Sequence, residues 1–461
     1  MEIGNKDLIW NYTATFLKIA SSVLLFPIIL RMLPTETVGI WSIFITITAF
    51  SSLIDFGFGP SFTRNITYVF SGVKTLKVLG FEKVETDNLD IDYGLLKSVI
   101  LAMKAIYLKS ALLLLLLLST VGTYYIYTIS QNYTGDLKEV YISWVILCLL
   151  NTYNLYTLYY DSLLQGKGMV KKSKQIIIVG QITYLIIASF FIILKFGLIA
   201  IVAAQAASIL IVRLLSFYSF FTKDLRNYLE NAIPKQKRDV LKAIYPNALK
   251  IGLTSLGGFM VQRASIIIGS LYLPLSDIAS YGITMQLIAI IAGLSSIFLA
   301  TFLPKIIKYR VSNEIQKIKE VYIKGLFVLM LTYLFGGVGI IIFGNYGLKF
   351  IESQTVLLPN LILFMALILS LEQTNLILAG NILLTKNEVP FYKSSLISGV
   401  LIIIGLLIYF NFYKINLWGM ILVPLFIDII YQAWKWPLEV KKDLNINKND
   451  FILILCNFKK K

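Results

Sequence analysis

The sequence predicts an all-α polytopic membrane protein in which twelve transmembrane helices form two six-helix bundles. Of its 461 residues 57% are hydrophobic and 15% are charged, and the mean hydropathy is +0.77. Such a composition excludes an ordinary soluble domain. Apolar stretches recur with the length of about 20 residues that crosses a hydrocarbon core of about 30 Å. Basic residues are concentrated in alternate connections between these stretches.

The apolar stretches fall into two sets of six. The first set lies at residues 8–30, 39–59, 106–129, 141–160, 176–195 and 197–220, and the second at 247–271, 278–303, 325–347, 357–379, 394–412 and 415–436. This pattern predicts an N-terminal bundle (1–222), a cytoplasmic linker (223–246), a C-terminal bundle (247–437) and a basic cytoplasmic tail (438–461).

The positions of lysine and arginine predict the orientation of the helices. Most of them lie in alternate connections, which include residues 64–97, 223–250 and 305–324. The positive-inside rule therefore places these connections and both termini in the cytoplasm. The N-terminus lacks the pattern of a cleavable signal peptide, so we expect the first helix to stay in the membrane. The net charge of +17 then reflects topology and contact with membrane lipids, and no nucleic-acid partner is expected.

The two halves of the sequence resemble each other. Leu33-Pro34 after the first helix is echoed by Leu273-Pro274 after the seventh, and LLQGKGMVKKS (163–173) loosely matches LLTKNEVPFYKSS (383–395). Duplication of a six-helix unit leaves both copies in the same orientation, because six is even. Such parallel repeats are typical of transporters, whose substrate path lies between the repeats.

The first helix of each half carries a cation within its apolar stretch. In the first helix, Lys18 lies on a polar face with Asn11, Thr15 and Ser22. In the seventh helix, Arg263 borders a face of small and polar residues, which are Ser255, Gly258, Gln262, Ser265 and Gly269. The structural interpretation of such a face is close helix packing. For the two cations, the structural interpretation is an internal salt bridge or snorkelling to the interface.

We favour a functional role, and not a purely structural one, for these two cations. Arg263 lies about 12 Å from the outer end of its helix at 1.5 Å per residue, which is too deep for easy snorkelling. A charge inside the bilayer is costly, and neither lead helix contains an acidic residue within its span. The sequence therefore predicts an anionic guest, and phosphate suits both an arginine fork and a lysine point charge.

Other predicted helices carry polar residues whose roles the sequence leaves open. Asn154 lies on a polar face of the fourth helix together with Asp161, and Asp55 lies near the cytoplasmic end of the second. Glu372 and Asp428 lie deeper, and each would either pair with one of the two central cations or carry a coupling proton. Arg213 lies near the end of the sixth helix and is interpreted as a snorkelling anchor.

The residue inventory argues against an enzyme. The chain has no histidine and only two cysteines, Cys148 and Cys456. Mechanisms built on imidazole and metal sites built on cysteine are therefore excluded. We expect no catalytic residues, no metal and no cofactor.

Several motifs resemble those of a known family. They are Asn11 and Pro27, followed by LPTETVGIW (33–41) and LIDFGFGPSFTRNI (53–66), and later LLQGKGMVKKSKQ and GLIAIVAAQ. Together they resemble the polysaccharide transporter branch of the MOP superfamily, and most of all its Wzx-type O-antigen (O-unit) flippases. The segment 71–94 is longer than this family needs, and its mixed charge predicts a solvated cytoplasmic hairpin or a surface for a partner.

The resemblance implies a function. It would be to move undecaprenyl-diphosphate-linked oligosaccharide from the cytoplasmic to the outer leaflet of a bacterial inner membrane, during synthesis of lipopolysaccharide or another surface polysaccharide. Lys18 and Arg263 would hold the diphosphate, and other polysaccharide assembly proteins are the partners that it implies. The alternative is a MATE-like, cation-coupled exporter of small cationic drugs. A membrane enzyme, which usually has a large outer loop, and a structural scaffold are less consistent with short outer loops and central cations.

Overall fold

The described part of the chain is helical. The computed structural model describes residues 10, 17, 21, 24–76, 91–235, 237–311, 313–386, 390–413, 415–447 and 450. Within these ranges there is no β-strand. Backbone groups inside a bilayer must be satisfied within their own segment, which favours helices for long apolar stretches. The predicted all-α fold class is therefore confirmed.

The chain divides into two compact units, which we call unit 1 and unit 2. Unit 1 comprises Met1–Leu33 and Phe44–Leu256, and unit 2 comprises Pro34–Ile43 and Gly257–Lys461. The short segment Pro34–Ile43 thus belongs to the unit formed by the second half of the chain.

The first half of the chain contains the helices α1 to α10. They are α1 (24–32), α2 (Thr35–Leu53), α3 (Phe58–Phe70), α4 (Tyr93–Leu117), α5 (Thr123–Ser130), α6 (Leu137–Tyr156), α7 (Tyr159–Gly166), α8 (Val170–Ile193), α9 (Gly197–Phe220) and α10 (Lys223–Asn231). A π-helical turn, Leu118–Gly122, joins α4 to α5. The main packing pairs are α8 with α9, α3 with α7, and α6 with both α4 and α9.

The second half contains longer helices. They are α11 (Lys237–Gly269), α12 (Leu275–Val311), α13 (Ile315–Phe350), α14 (Asn360–Leu384), α15 (Tyr392–Phe412), α16 (Trp418–Ile430) and α17 (Gln432–Asp443). Helix α14 is central, because it packs against α12, α13, α16 and α17.

Among the described residues, seven helices are long and apolar enough to cross a membrane. Helix α4 illustrates why they suit a bilayer: Leu114 is fully buried, whereas Leu112 and Leu116 on other faces are 57% and 60% exposed. Apolar side chains that are exposed along a whole helix are solvated favourably by lipid and not by water. The chain is a multi-pass membrane protein.

Three of the predicted spans are interrupted. The second ends at Leu53, where a turn with positive φ at Phe56 (45°) and Gly57 (69°) separates α2 from α3. The fourth is divided between α6 and α7, and the twelfth between α16 and α17. Each break lies within a stretch that is apolar on average, so hydropathy alone does not reveal it.

Small residues bring α11 close to α15 in unit 2. A Cβ atom added to Gly257 would lie 2.7 Å from the backbone nitrogen of Leu396, and one added to Gly399 would lie 2.6 Å from Cβ of Met260. Helices that approach this closely need glycine at the contact. Part of the small-residue pattern in α11 therefore has a packing role.

Candidate functional site

Arg263 lies in α11 without a partner of opposite charge among the described residues. Its side chain is half-buried, and no described residue forms a hydrogen bond or a salt bridge with it. The polar group that interacts with it electrostatically is the hydroxyl of Tyr281, a residue that is only 5% exposed. A neutral phenol does not neutralise a guanidinium, so Arg263 retains five donors for a ligand.

The small and polar face beside Arg263 serves two purposes. Ser265 is buried and donates to the carbonyl oxygen of Met420 at 2.8 Å, and a Cβ atom at Gly269 would lie 2.8 Å from the sulfur of Met420. These two residues pack α11 against α16. Gln262, in contrast, is exposed, and a Cβ atom at Gly258 would meet no atom of the described residues within 4 Å. The open part of the face is therefore the part next to Arg263.

Two carboxyl groups lie together on α14 and α16 in unit 2. Asp428 is fully buried, and its Oδ2 accepts a hydrogen bond from Nε2 of Gln373 at 3.3 Å. Both carboxyl oxygens of Glu372 and Oδ1 of Asp428 are buried without a hydrogen-bond partner among the described residues. The two groups interact electrostatically with each other. Two buried carboxylates repel one another unless a proton or a bound cation joins them.

A hydroxyl cluster between α13 and α14 sets the position of Glu372. The hydroxyl of Tyr333 on α13 lies 2.7 Å from Oγ of Ser370 and 2.8 Å from Oγ1 of Thr374. Both partners belong to α14 and flank Glu372 in sequence. The cluster therefore holds α14 against α13 and sets the rotation of α14 that presents Glu372.

Arg263 and Glu372 are not paired. Since neither carboxyl oxygen of Glu372 has a hydrogen-bond partner among the described residues, the salt bridge between Arg263 and Glu372 that the sequence left open is not formed in this structure. The alternative pairing with Lys18 lies outside the described residues. In the part of unit 2 that the structure describes, Arg263 has no acidic partner and the acid pair has no cationic partner. Their roles in binding and coupling stay predictions.

Arg213 in unit 1 corrects the sequence-based interpretation. It is only 5% exposed, and its guanidinium donates to Oδ2 of Asp161 at 2.9 Å and to Oδ1 of Asn154 at 2.7 Å. The interpretation of Arg213 as a snorkelling anchor is therefore wrong, because its guanidinium is buried in unit 1 and forms a salt bridge with Asp161. Asn154, predicted to line a cavity, uses its carbonyl oxygen to hold this arginine.

Asp55 lies in the turn between α2 and α3. Its carboxylate accepts hydrogen bonds from the backbone N–H of Gly59 at 3.1 Å and from the hydroxyl of Tyr107 at 2.5 Å. Tyr107 is fully buried on α4 and interacts electrostatically with Asp161 and Arg213 as well. Asp55 therefore belongs to a polar cluster inside unit 1, together with Tyr107, Asp161 and Arg213.

The polar face of the first helix cannot be compared with the structure. Its predicted residues, Asn11, Thr15, Lys18 and Ser22, lie outside the described residues. Their roles stay predictions.

Comparison with known proteins supports the fold. No protein-family profile matches the chain, and no curated protein is significantly similar to it. Among solved structures, the lipid II flippase MurJ in an inward closed conformation matches 97% of this chain and 89% of its own, with 14% identity and a TM-score of 0.63. An inward-facing multidrug resistance MATE family transporter of the MOP superfamily matches 94% and 95%, with 16% identity and a TM-score of 0.57.

A third solved structure extends the same comparison. A MOP superfamily transporter from Pyrococcus furiosus matches 96% of this chain and 98% of its own, with 13% identity and a TM-score of 0.51. The chain has the fold of the MOP-superfamily transporters. Because this similarity covers nearly the whole chain, the MOP fold accounts for both units. Its assignment to the polysaccharide transporter branch stays a prediction, since identities this low establish the fold alone.

Proposed function

We propose that this MOP-fold protein is a flippase that moves undecaprenyl-diphosphate-linked oligosaccharide from the cytoplasmic to the outer leaflet of a bacterial inner membrane by alternating access. The observation that carries the proposal is the guanidinium of Arg263, which lies in an apolar helix and has no acidic partner among the described residues. An anionic ligand explains such a cation best, because the ligand offsets the cost of its burial. The similarity to a lipid II flippase supports a lipid-linked substrate.

Arg263 and Lys18 are the residues that we assign to the diphosphate. The planar fork of Arg263 would make two parallel hydrogen bonds to phosphate oxygens, and Lys18 would add a mobile positive charge. The open positions at Gly258 and Gln262 leave room for the ligand beside Arg263. The sugar residues of the substrate are left unassigned.

Deletion of the protein in its host tests the proposal. We expect lipid-linked oligosaccharide to accumulate on the cytoplasmic side, and surface polysaccharide to return when the wild-type chain is supplied. Arg263→Ala should not restore it, Arg263→Lys should restore it in part, and Arg64→Ala, which removes an exposed arginine, should restore it fully. Full export by inserted Arg263→Ala protein would contradict the proposal.

Glu372 and Asp428 are the candidates for coupling export to an ion. Three of their four carboxyl oxygens are buried without a hydrogen-bond partner among the described residues, and the two groups interact with each other, which suits a site that takes up and releases a proton or a cation. In proteoliposomes, Glu372→Gln should abolish the stimulation of transport by an ion gradient while leaving substrate binding unchanged. Glu439→Gln, which removes a half-buried carboxylate that pairs with Lys435 on α17, is the control. Equal stimulation of Glu372→Gln and the wild type would show that Glu372 takes no part in coupling.

The same two acids favour a second candidate, a cation-coupled exporter of small cationic drugs. Buried carboxylates attract an organic cation as readily as an inorganic one, and MATE transporters share the fold. An exporter of this kind would confer drug resistance and would need Glu372 instead of Arg263. Drug resistance that survives Arg263→Ala and disappears with Glu372→Gln would favour it over the flippase.

A further inference from the structure

A cavity of about 410 Å³ lies between α13 and α17 in unit 2. Its size falls within the range of about 300–1,000 Å³ that ligand pockets occupy. Leu326 and Met330 of α13 form one wall, and Pro437 and Leu438 of α17 form the other. The other lining residues are apolar except for Tyr322, Asn375 and Lys441. The cavity therefore suits a ligand that is mostly apolar and has a polar end.

The walls of this cavity are held apart by the way that α17 is anchored. Helix α17 packs against α14 and α16, which leaves the cavity between it and α13. Asp443, at the end of α17, accepts from Arg310 of α12 at 2.7 Å and pairs with Lys386 at 2.5 Å. These contacts fix the C-terminal end of α17 on two neighbouring segments.

The start of α13 is tied to the chain that follows α17. Nζ of Lys319 donates to the carbonyl oxygen of Asn445 at 2.8 Å and to Oδ2 of Asp450 at 2.9 Å. Hydrogen bonds from the backbone N–H of Asn447 and from Lys319 lower the pKa of Asp450, so this contact is charged at neutral pH. These hydrogen bonds close the cavity at this end. They also connect α13 to the segment that follows α17.

The free surface of α17 suits a membrane interface. Trp434 is 49% exposed and Leu438 is 44% exposed, and the last turn of the helix carries Lys441 and Lys442. Aromatic and apolar side chains beside lysines are typical of helices that lie at the level of the lipid head groups. The cavity therefore opens where inner-leaflet lipids would reach it.

The charge at the rim of the cavity indicates which kind of lipid it would bind. Lys441 lines the cavity and is exposed, and it forms no salt bridge or hydrogen bond with any described residue. No residue that lines the cavity is acidic. A lysine at one end of an apolar cavity is complementary to a phospholipid, whose phosphate would lie at Lys441 while an acyl chain lies between Leu326 and Leu438.

We propose that the cavity between α13 and α17 binds one acyl chain of an anionic phospholipid, with the head group on Lys441. Neither Arg263 nor the acid pair lines this cavity, although Asn375, one turn after Glu372 on α14, does. Lipid binding there does not depend on the transported substrate. A lipid held there would join α17 to α13 and stabilise the cytoplasmic end of unit 2.

Native mass spectrometry of the delipidated full-length protein tests this proposal. Phosphatidylglycerol and phosphatidylcholine with identical acyl chains are added in turn. We expect the wild type to retain phosphatidylglycerol in preference. Lys441→Gln should weaken phosphatidylglycerol binding about fivefold, the size expected for one lysine near an anionic head group, and should leave phosphatidylcholine unchanged. Lys442→Gln, which removes a neighbouring lysine that does not line the cavity, should behave as the wild type.

Filling the cavity provides an independent arm of the test. Leu326→Trp and Met330→Trp should each reduce the binding of both lipids, and size-exclusion chromatography identifies the variant that folds. Equal retention of the two lipids by the wild type, or unchanged retention by a folded tryptophan variant, would overturn the proposal. So would displacement of phosphatidylglycerol by undecaprenyl phosphate, or lipid binding only after removal of residues 451–461, because either result would assign the cavity to another occupant.

Discussion

At the scale of single residues, two arginines within the apolar helices have opposite environments. Arg213 is 5% exposed and is held by Asp161 and Asn154, whereas Arg263 has no acidic partner among the described residues. The sequence places both inside apolar stretches and does not distinguish them. The difference arises because Asp161 comes from another helix, and a contact between helices is not encoded in the periodicity of either one.

We expect removal of Arg213 to destabilise unit 1. The Arg213→Gln change leaves the carboxylate of Asp161, whose side chain is 29% exposed, without its cation. Breaking a buried ion pair costs about 3–5 kcal/mol, and partial exposure favours the lower end of this range. The measurement is thermal unfolding of purified protein in detergent. Combining Arg213→Gln with Asp161→Asn should recover part of the loss, and a double variant as unstable as the sum of the two single variants would contradict the pairing.

At the scale of elements, hydropathy predicted the helices well and their interruptions poorly. The predicted span 197–220 coincides with α9, and 394–412 lies within α15. The breaks at Asp55–Gly57 and at Tyr431 were not predicted, because they depend on local backbone conformation within apolar sequence. Likewise, the linker predicted at 223–246 contains α10 and the start of α11.

The contact between α11 and α15 predicts a sharp difference between two adjacent glycines. Gly257→Ala places a Cβ atom 2.7 Å from the backbone of α15, whereas Gly258→Ala meets no atom within 4 Å in the described part of the chain. Crowding of this kind costs about 1–3 kcal/mol, while alanine favours the helix by about 0.5–1 kcal/mol. The melting temperature in detergent should therefore fall for Gly257→Ala and be unchanged or higher for Gly258→Ala. Equal melting temperatures would contradict the close contact.

The segment after α10 is docked on the start of α4 by an ion pair that depends on pH. Burial alone would raise the pKa of Asp92. The ammonium of Lys235 and the backbone N–H of Leu95 lower this pKa by more than burial raises it, so it lies below the ordinary value of 3.8. A carboxyl group with a depressed pKa in the folded state stabilises the fold above its unfolded pKa, and this contribution is lost as the pH falls through the folded value.

Asp92→Asn should therefore lower the melting temperature at pH 7, by an amount that corresponds to less than about 1 kcal/mol for a partly exposed pair. The difference from the wild type should shrink as the pH falls below 3.8. Asp224→Asn, on α10, is a control that removes a carboxylate without this pairing. A difference that grows on acidification would contradict the assigned sign.

At the scale of the whole molecule, composition and basic loops predicted the membrane class and the all-α fold, and the similarity to MOP-superfamily transporters confirms that fold. The candidate site was predicted only in part. The sequence identified Arg263, Glu372 and Asp428 as unusual residues, because charges in apolar helices are rare. It did not predict that Arg263 and Glu372 are unpaired, because this depends on how α11 and α14 are rotated within unit 2.

The central claim is that Arg263 binds the diphosphate of a lipid-linked oligosaccharide during its transfer between leaflets. The most direct test is to reconstitute the purified chain into liposomes with a fluorescent undecaprenyl-diphosphate-linked sugar and to measure how fast an impermeant reagent gains access to the sugar. The wild type and Arg64→Ala should accelerate transfer, Arg263→Lys should retain part of the rate, and Arg263→Ala should reduce it to the protein-free level. Transfer by Arg263→Ala at the wild-type rate would contradict the claim.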